Sequence, residues 1–91
     1  MDYYFKPFAL RDLRKLPKPI QKRIIKKLDY FTSTNKPLSF ASALKDKNVG
    51  SYRYRIGDYR VIFDVVNNSI IVLAVGHRRE VNVERAGQQV A

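Results

Sequence analysis

Three consecutive apolar-rich runs of the sequence have the length and composition of β-strands. β-Branched and aromatic residues dominate the runs, as is usual in strands. They cover residues 52–56, 59–66 and 70 to about 75 or 76. Gly57-Asp58 and Asn67-Asn68 separate the runs, and these residue types tolerate the positive φ of tight turns. The pattern predicts a three-stranded antiparallel meander.

The part of the chain before the meander has helical spacing. Leucines recur at every third position from residue 10 to 16, and apolar residues follow at i, i+4, i+8 and i+11 from Ile20 to Phe31. Pro17 and Pro19 lie between the two stretches, and proline suits the first turn of a helix. The aromatic-rich stretch at residues 3–8 predicts a first strand that lies at a sheet edge or ends at Pro7, because Pro7 cannot donate a ladder hydrogen bond.

The resulting order, β-α-α-β-β-β, predicts one α+β domain in which a helical hairpin packs on a small antiparallel β-sheet. Residues 38–50 are expected to form a loop, and residues 87–91 a flexible tail. The period of two assigns alternate residues to opposite faces of the sheet. The face under the helices is predicted to carry Tyr54, Val61, Phe63, Val65, Val72 and Ala74. The other face is predicted to carry Arg53, Arg55, Arg60, Ile62, Leu73 and Val75.

Composition narrows the function classes. The 91 residues include no cysteine and one histidine, which excludes a disulfide framework and a thiolate zinc site. We expect no cofactor, no metal, no membrane partner and a cytoplasmic location. The 18 Lys and Arg against 8 Asp and Glu give a net charge of +10, which suggests a nucleic acid, a ribosome or an acidic protein as partner. The basic pairs Lys22-Arg23 and Lys26-Lys27 on the second helix fit a solvated face, or alternatively a patch that binds RNA phosphates.

The arginines of the meander form the candidate site. Arg53 and Arg55 share a strand face, and a Gly57-Asp58 turn would set Arg55 opposite Arg60. Like charges directly opposite each other destabilise a sheet, so an anion between them is expected. The third strand would bring Arg78 and His77 to the same face and end of the sheet.

Such a site suits a phosphodiester. RNA supplies its own nucleophile in the 2′-OH, so cleavage without metal is feasible. His77 is either structural or a group that transfers protons or contacts substrate. Tyrosines of the strands fit base stacking or core packing, and core packing is favoured for Tyr54. The predicted catalytic residues are Arg60, Arg78, His77 and Arg55, and the predicted substrate-binding residues are Arg53, Arg79, Lys45 and Lys47.

The block YRYRIGDYRVIF at residues 52–63, the apolar strand after it and VGHRREV at residues 75–81 resemble the RelE/ParE superfamily of toxins from type II toxin–antitoxin modules. The resemblance covers nearly the whole chain and implies the fold predicted above, with an antitoxin as partner. For RelE-like members it implies ribosome-dependent cleavage of mRNA by 2′-OH attack. Arg53 and Arg55 match basic positions of that family, and Arg60 and Arg78 match arginines that stabilise phosphate charge.

One position departs from the RelE-like pattern. Asn82 stands where many members have a tyrosine that serves in proton transfer. The resemblance therefore leaves two alternatives beside an mRNA endonuclease. One is a ParE-type toxin that inhibits DNA gyrase, and the other is a weakened relative that mainly binds RNA or antitoxin.

Overall fold

The computed structural model describes residues 1–79. The elements in chain order are β1 (Asp2–Phe5), α1 (Pro7–Arg14), α2 (Lys18–Ser33), a 3₁₀ turn (Pro37–Phe40), β2 (Ala41–Ala43), β3 (Tyr52–Ile56), β4 (Tyr59–Val66) and β5 (Ser69–His77). This confirms the α+β class and the order of the six predicted elements. The strand β2 is an addition, within the stretch expected to be a loop. No helix of the described part is long and apolar enough to cross a membrane.

The predictions made for the end of the chain lie outside the described residues. They concern the tyrosine position at Asn82 and the flexible tail at residues 87–91.

The strands form one sheet in the order β1-β5-β4-β3-β2. The meander of β3, β4 and β5 is antiparallel, as predicted. The expectation of a wholly antiparallel sheet is wrong for β1, which pairs parallel with β5 at the edge of the sheet. Tight turns dictate antiparallel pairing only between neighbours in the chain, whereas β1 reaches β5 after a long connection that includes both helices.

The main core lies between the helices and one face of the sheet, here called the helix face. Helix residues Ala9, Leu13, Ile24, Leu28 and Phe31 contribute to it, together with strand residues that include Tyr54, Val61, Phe63, Ile70 and Val72. Tyr54 is fully buried, which confirms core packing for this tyrosine. The opposite face has a smaller core, where Leu44 and Val49 of the loop pack on Ile62, Leu73 and Ala74.

A β-bulge on β5 changes which residues share a face. Ile62 pairs with Ala74 and Phe63 pairs with Val72, so Leu73 is an extra residue without a partner on β4. As a result Ala74 packs in the smaller core and Val75 in the main core. The predicted faces of these two residues are therefore wrong, because a strict period of two does not continue through a bulge.

We predict that Tyr54 makes the fold sensitive to alkali. Its hydroxyl donates to the carbonyl oxygen of Pro37 at 2.8 Å, and burial raises its pKa from 10.0 to about 12. The unfolded chain thus loses this proton at lower pH than the folded chain. The stability contributed by the neutral phenol is complete below pH 10 and is lost as pH rises toward 12, at up to about 1.4 kcal/mol per pH unit.

Urea denaturation at several pH values from about 9 to about 12 tests this. Tyr54→Phe should lower stability by about 1 kcal/mol near neutral pH, through the lost hydrogen bond, and should flatten the alkaline decline. Tyr3→Phe measures the share of the alkaline decline that comes from Tyr3. Burial and a hydrogen bond to Asp29 also raise the pKa of Tyr3 to about 12. An alkaline decline that is unchanged in Tyr54→Phe would contradict the assignment.

Candidate nucleic-acid interface

Arg55 and Arg60 lie directly opposite each other at the turn between β3 and β4, as predicted. Gly57 in that turn has a φ of 60°, which glycine adopts without steric cost. Arg53 lies two residues before Arg55 and pairs with Ile62. Because Ile62 packs in the smaller core, the three arginines project from the face of the sheet opposite the helices.

Arg60 is half-buried, and Gly76, its partner on β5, has no side chain to cover it. Burial lowers the pKa of the Arg60 guanidinium, and the positive charges of Arg53, Arg55 and Arg78 lower it further. Nη1 of Arg60 and Nε of Arg53 are buried, and neither has a hydrogen-bond partner among residues 1–79. Buried donors left unpaired cost free energy, and charged ones cost more. The site therefore offers positive charge to an anion, together with the donors of the exposed Arg55 and Arg78.

Arg78 lies directly after β5 and completes the group. Its backbone N–H donates to the carbonyl oxygen of Asp58 at 2.7 Å, which continues the pairing of β4 and β5 beyond the last strand residue. Its Nε lies 3.9 Å from Oδ1 of Asp58, an exposed pair that contributes little to stability. Since its charge also acts on Arg60, four arginines surround this end of the sheet. We call them the arginine cluster: Arg53, Arg55, Arg60 and Arg78.

The structure does not bring His77 into the arginine cluster. His77 pairs with Tyr59, and its ring meets the Tyr59 ring edge-on at 5.5 Å between centroids. Tyr59 packs against the main core, so His77 lies on the helix face at the end of β5. The bulge at Leu73 is the reason, because it shifts the alternation of β5 by one residue. A role for His77 in proton transfer stays a prediction.

Three other residues predicted to bind substrate lie apart from Arg60. Lys47 extends over the Tyr52 ring, with Nζ 5.9 Å from the centroid, and Lys45 is exposed in the same loop. Arg79 is also exposed, and its backbone N–H donates to Nδ1 of His77 at 3.2 Å. Their proposed contacts with substrate thus need a ligand that extends beyond the arginine cluster.

Sequence reasoning overlooked two residues of the site. Gly76 pairs with Arg60 and places no side chain beside it, and Asp58 anchors Arg78 through its backbone carbonyl. Asp58 was assigned only to the turn, although its place between Gly57 and Tyr59 at the end of the hairpin was a usable signal. Gly76 lies two residues before Arg78 in the motif VGHRREV, but the bulge conceals that it lies opposite Arg60.

The geometry suits binding of an anion, and a phosphodiester is one such anion. Guanidinium groups bind phosphate oxygens through paired N–H donors and stabilise charge that develops on phosphorus. Among residues 1–79, no group of three or more His, Cys, Asp or Glu side chains is arranged to hold a metal ion. The described part of the site thus offers charge stabilisation and orientation of a substrate.

Comparisons with known proteins agree with this fold. Residues 3–82 match the family model for the ParE toxin of the type II toxin–antitoxin system parDE. No curated protein is similar enough in sequence to match the chain.

Solved structures of RelE toxins have the same fold. The RelBE2 toxin–antitoxin complex of Mycobacterium tuberculosis matches at 26% identity with a TM-score of 0.69, over 85% of this chain and 96% of that one. The RelB–RelE complex of Methanococcus jannaschii matches at 30% identity with a TM-score of 0.61, over 84% and 91%. The isolated E. coli RelE toxin, at 20% identity, matches in fold with a TM-score of 0.68 over 99% and 98%.

The family model spans most of the chain, and the structural neighbours are toxins of the same superfamily. The chain therefore belongs to the RelE/ParE superfamily and is a toxin of a type II toxin–antitoxin system.

Proposed function

We propose that this toxin is a ribosome-dependent mRNA endoribonuclease that inhibits translation. The observation that carries the proposal is the arginine cluster, in which Arg53 and Arg60 each have a buried donor without a partner among the described residues. A phosphodiester bound by the exposed Arg55 and Arg78 would offset the repulsion between Arg55 and Arg60. The same contacts would strengthen as phosphorus becomes five-coordinate and gains charge.

The proposed reaction is attack of the RNA 2′-OH on the adjacent phosphorus, without metal. The 2′-OH gives up its proton as its oxygen bonds to phosphorus, and the bond from phosphorus to the 5′-oxygen of the next nucleotide breaks. This leaves a 2′,3′-cyclic phosphate and a 5′-OH that has gained a proton. Arg60 and Arg78 would stabilise the phosphorane-like charge, and Arg53 and Arg55 would hold the strand in line. His77 is the candidate for proton transfer, although it faces Tyr59. We therefore expect charge stabilisation and orientation to be the main contributions of the protein.

The second candidate is inhibition of DNA gyrase, and the match of residues 3–82 to a model of ParE toxins favours it. In that case the arginine cluster would bind an acidic protein surface or DNA. Either activity requires a neutralising partner in the cell that makes the toxin. We propose a cognate antitoxin with an acidic or amphipathic segment, because several structural neighbours were crystallised with RelB antitoxin and this chain has a net charge of +10.

Primer extension on mRNA from cells after brief induction distinguishes the two activities. We expect cuts in phase with codons in a translated message, and none in the same message without its start codon. The second message is the control, because it has the same sequence but is not read by ribosomes. Uncut message together with gyrase-linked DNA breaks would contradict mRNA cleavage and support inhibition of gyrase.

A further inference from the structure

A fifth arginine contacts the end of the β3–β4 hairpin from the helix side. An ideal Cβ placed on Gly57 would lie 2.9 Å from Nη2, 3.0 Å from Nη1 and 3.1 Å from Cζ of Arg23. The three distances are nearly equal, so the guanidinium plane faces the α-carbon of Gly57. Only glycine leaves room for this contact, in addition to accepting the positive φ of the turn.

No ion pair within the described residues explains the position of Arg23. Arg23 is exposed on α2, and no carboxylate of residues 1–79 lies within 4.0 Å of its guanidinium. A guanidinium whose plane faces the turn keeps its N–H groups at its edge, in the plane of the group, and does not direct them into the turn. They are therefore available to a ligand that passes over the hairpin end.

Three lysines of α2 are directed to a different surface from Arg23. Lys18, Lys22 and Lys26 line a groove between α1 and α2, together with Leu13 and Ile25. Arg23 instead reaches the β3–β4 turn, on whose other side lie Arg55 and Arg60. The turn thus has positive charge both on the helix side and on the arginine cluster side, and Asp58 is its one acidic residue.

We propose that the single-stranded RNA path continues over the Gly57-Asp58 turn, and that Arg23 binds a phosphate next to the one held by the arginine cluster. This extension rests on the proposed function, since it takes RNA as the ligand. A planar fork of N–H donors suits a phosphate better than a lysine ammonium does. The path would cross the hairpin end at Gly57, which presents no side chain.

Binding of short 2′-O-methyl RNA tests the extension, because such RNA cannot be cleaved by 2′-OH attack. A hexanucleotide should bind Arg23→Gln roughly fivefold more weakly than wild type, and the slope of log affinity against log salt should fall by about 0.7, the value for one phosphate contact on a single strand. A dinucleotide, which has one phosphodiester, should bind both proteins equally. Lys18→Gln removes the same charge from the groove side of α2 and should match wild type with both ligands.

The outcomes separate the extension from the proposed function. If Arg60→Ala weakens hexanucleotide binding but Arg23→Gln behaves as Lys18→Gln does, the extension is wrong and the arginine cluster remains the RNA site. If Arg60→Ala binds as wild type does, the proposed RNA site fails and the extension fails with it. A loss of dinucleotide binding in Arg23→Gln would also overturn the extension, because Arg23 would then act on the first phosphate. Circular dichroism of each variant checks that it is folded.

Discussion

Arg60→Ala is expected to abolish growth arrest on induction while the protein stays folded. Arg60 is the centre of the arginine cluster, where the charges of Arg53, Arg55 and Arg78 all act on it. If it stabilises the charge that develops on phosphorus, its removal should slow RNA cleavage by about 10²- to 10³-fold, as for other single donors to a transition state.

The same substitution should leave folding stability unchanged or slightly increased. It removes a buried donor that has no partner in the described part of the chain and relieves repulsion from three arginines. A side chain that mattered only for packing would show the opposite behaviour, a loss of activity caused by unfolding. Loss of function without loss of stability is therefore the result that identifies a binding residue.

Growth after induction, cleavage of mRNA in a translation extract and thermal melting together test this prediction. Arg14→Ala is the matched control, because Arg14 is an exposed arginine at the end of α1. His77→Gln should reduce cleavage less than Arg60→Ala does, since His77 faces away from the arginine cluster. Full toxicity of Arg60→Ala, or equal toxicity of Arg60→Ala and Arg14→Ala, would remove the proposed site.

The sequence was sufficient to predict the local pairings of this fold. The residues of the Gly57-Asp58 turn imply that Arg55 faces Arg60, and the structure confirms that register. The helical hairpin followed in the same way from leucine spacing and from Pro17 and Pro19. These features depend on residues close together in the chain, where side-chain periodicity and turn chemistry determine the geometry.

Features that depend on distant contacts could not be predicted. The parallel pairing of β1 with β5 joins opposite ends of the described chain, and no local pattern specifies it. The bulge at Leu73 has no sequence signature among the apolar residues of β5, yet it decides on which face His77 lies. The contact of Arg23 with Gly57 required the packing of α2 against the sheet to be known. The arginine-rich character of the site was thus predictable from the sequence. Which residues lie next to the arginine cluster depends on tertiary structure.

Arg55→Glu is expected to make the toxin both more stable and inactive. The new carboxylate would lie directly opposite Arg60, since these positions are partners in the β3–β4 ladder. Repulsion across the strands would become attraction, and opposite charges in this position stabilise a sheet by roughly 0.2–1 kcal/mol. For a domain of this size, about 1 kcal/mol raises the melting temperature by roughly 4–8 °C, and the gain should shrink as salt screens the pair.

The loss of activity has the same cause as the gain in stability. A carboxylate between Arg53 and Arg60 would occupy the donors that the phosphate is proposed to bind, so cleavage should fall by at least about 10²-fold. Arg55→Gln separates charge from shape: it should lie between wild type and Arg55→Glu in melting temperature, and should keep part of the activity. A lower melting temperature for Arg55→Glu would mean that Arg55 and Arg60 do not repel each other in the folded protein, and retained toxicity would mean that the arginine cluster does not bind the phosphate. The expected result is that stability rises and toxicity falls from wild type to Arg55→Gln to Arg55→Glu. The facing arginines would then destabilise the fold and be retained because they bind an anion.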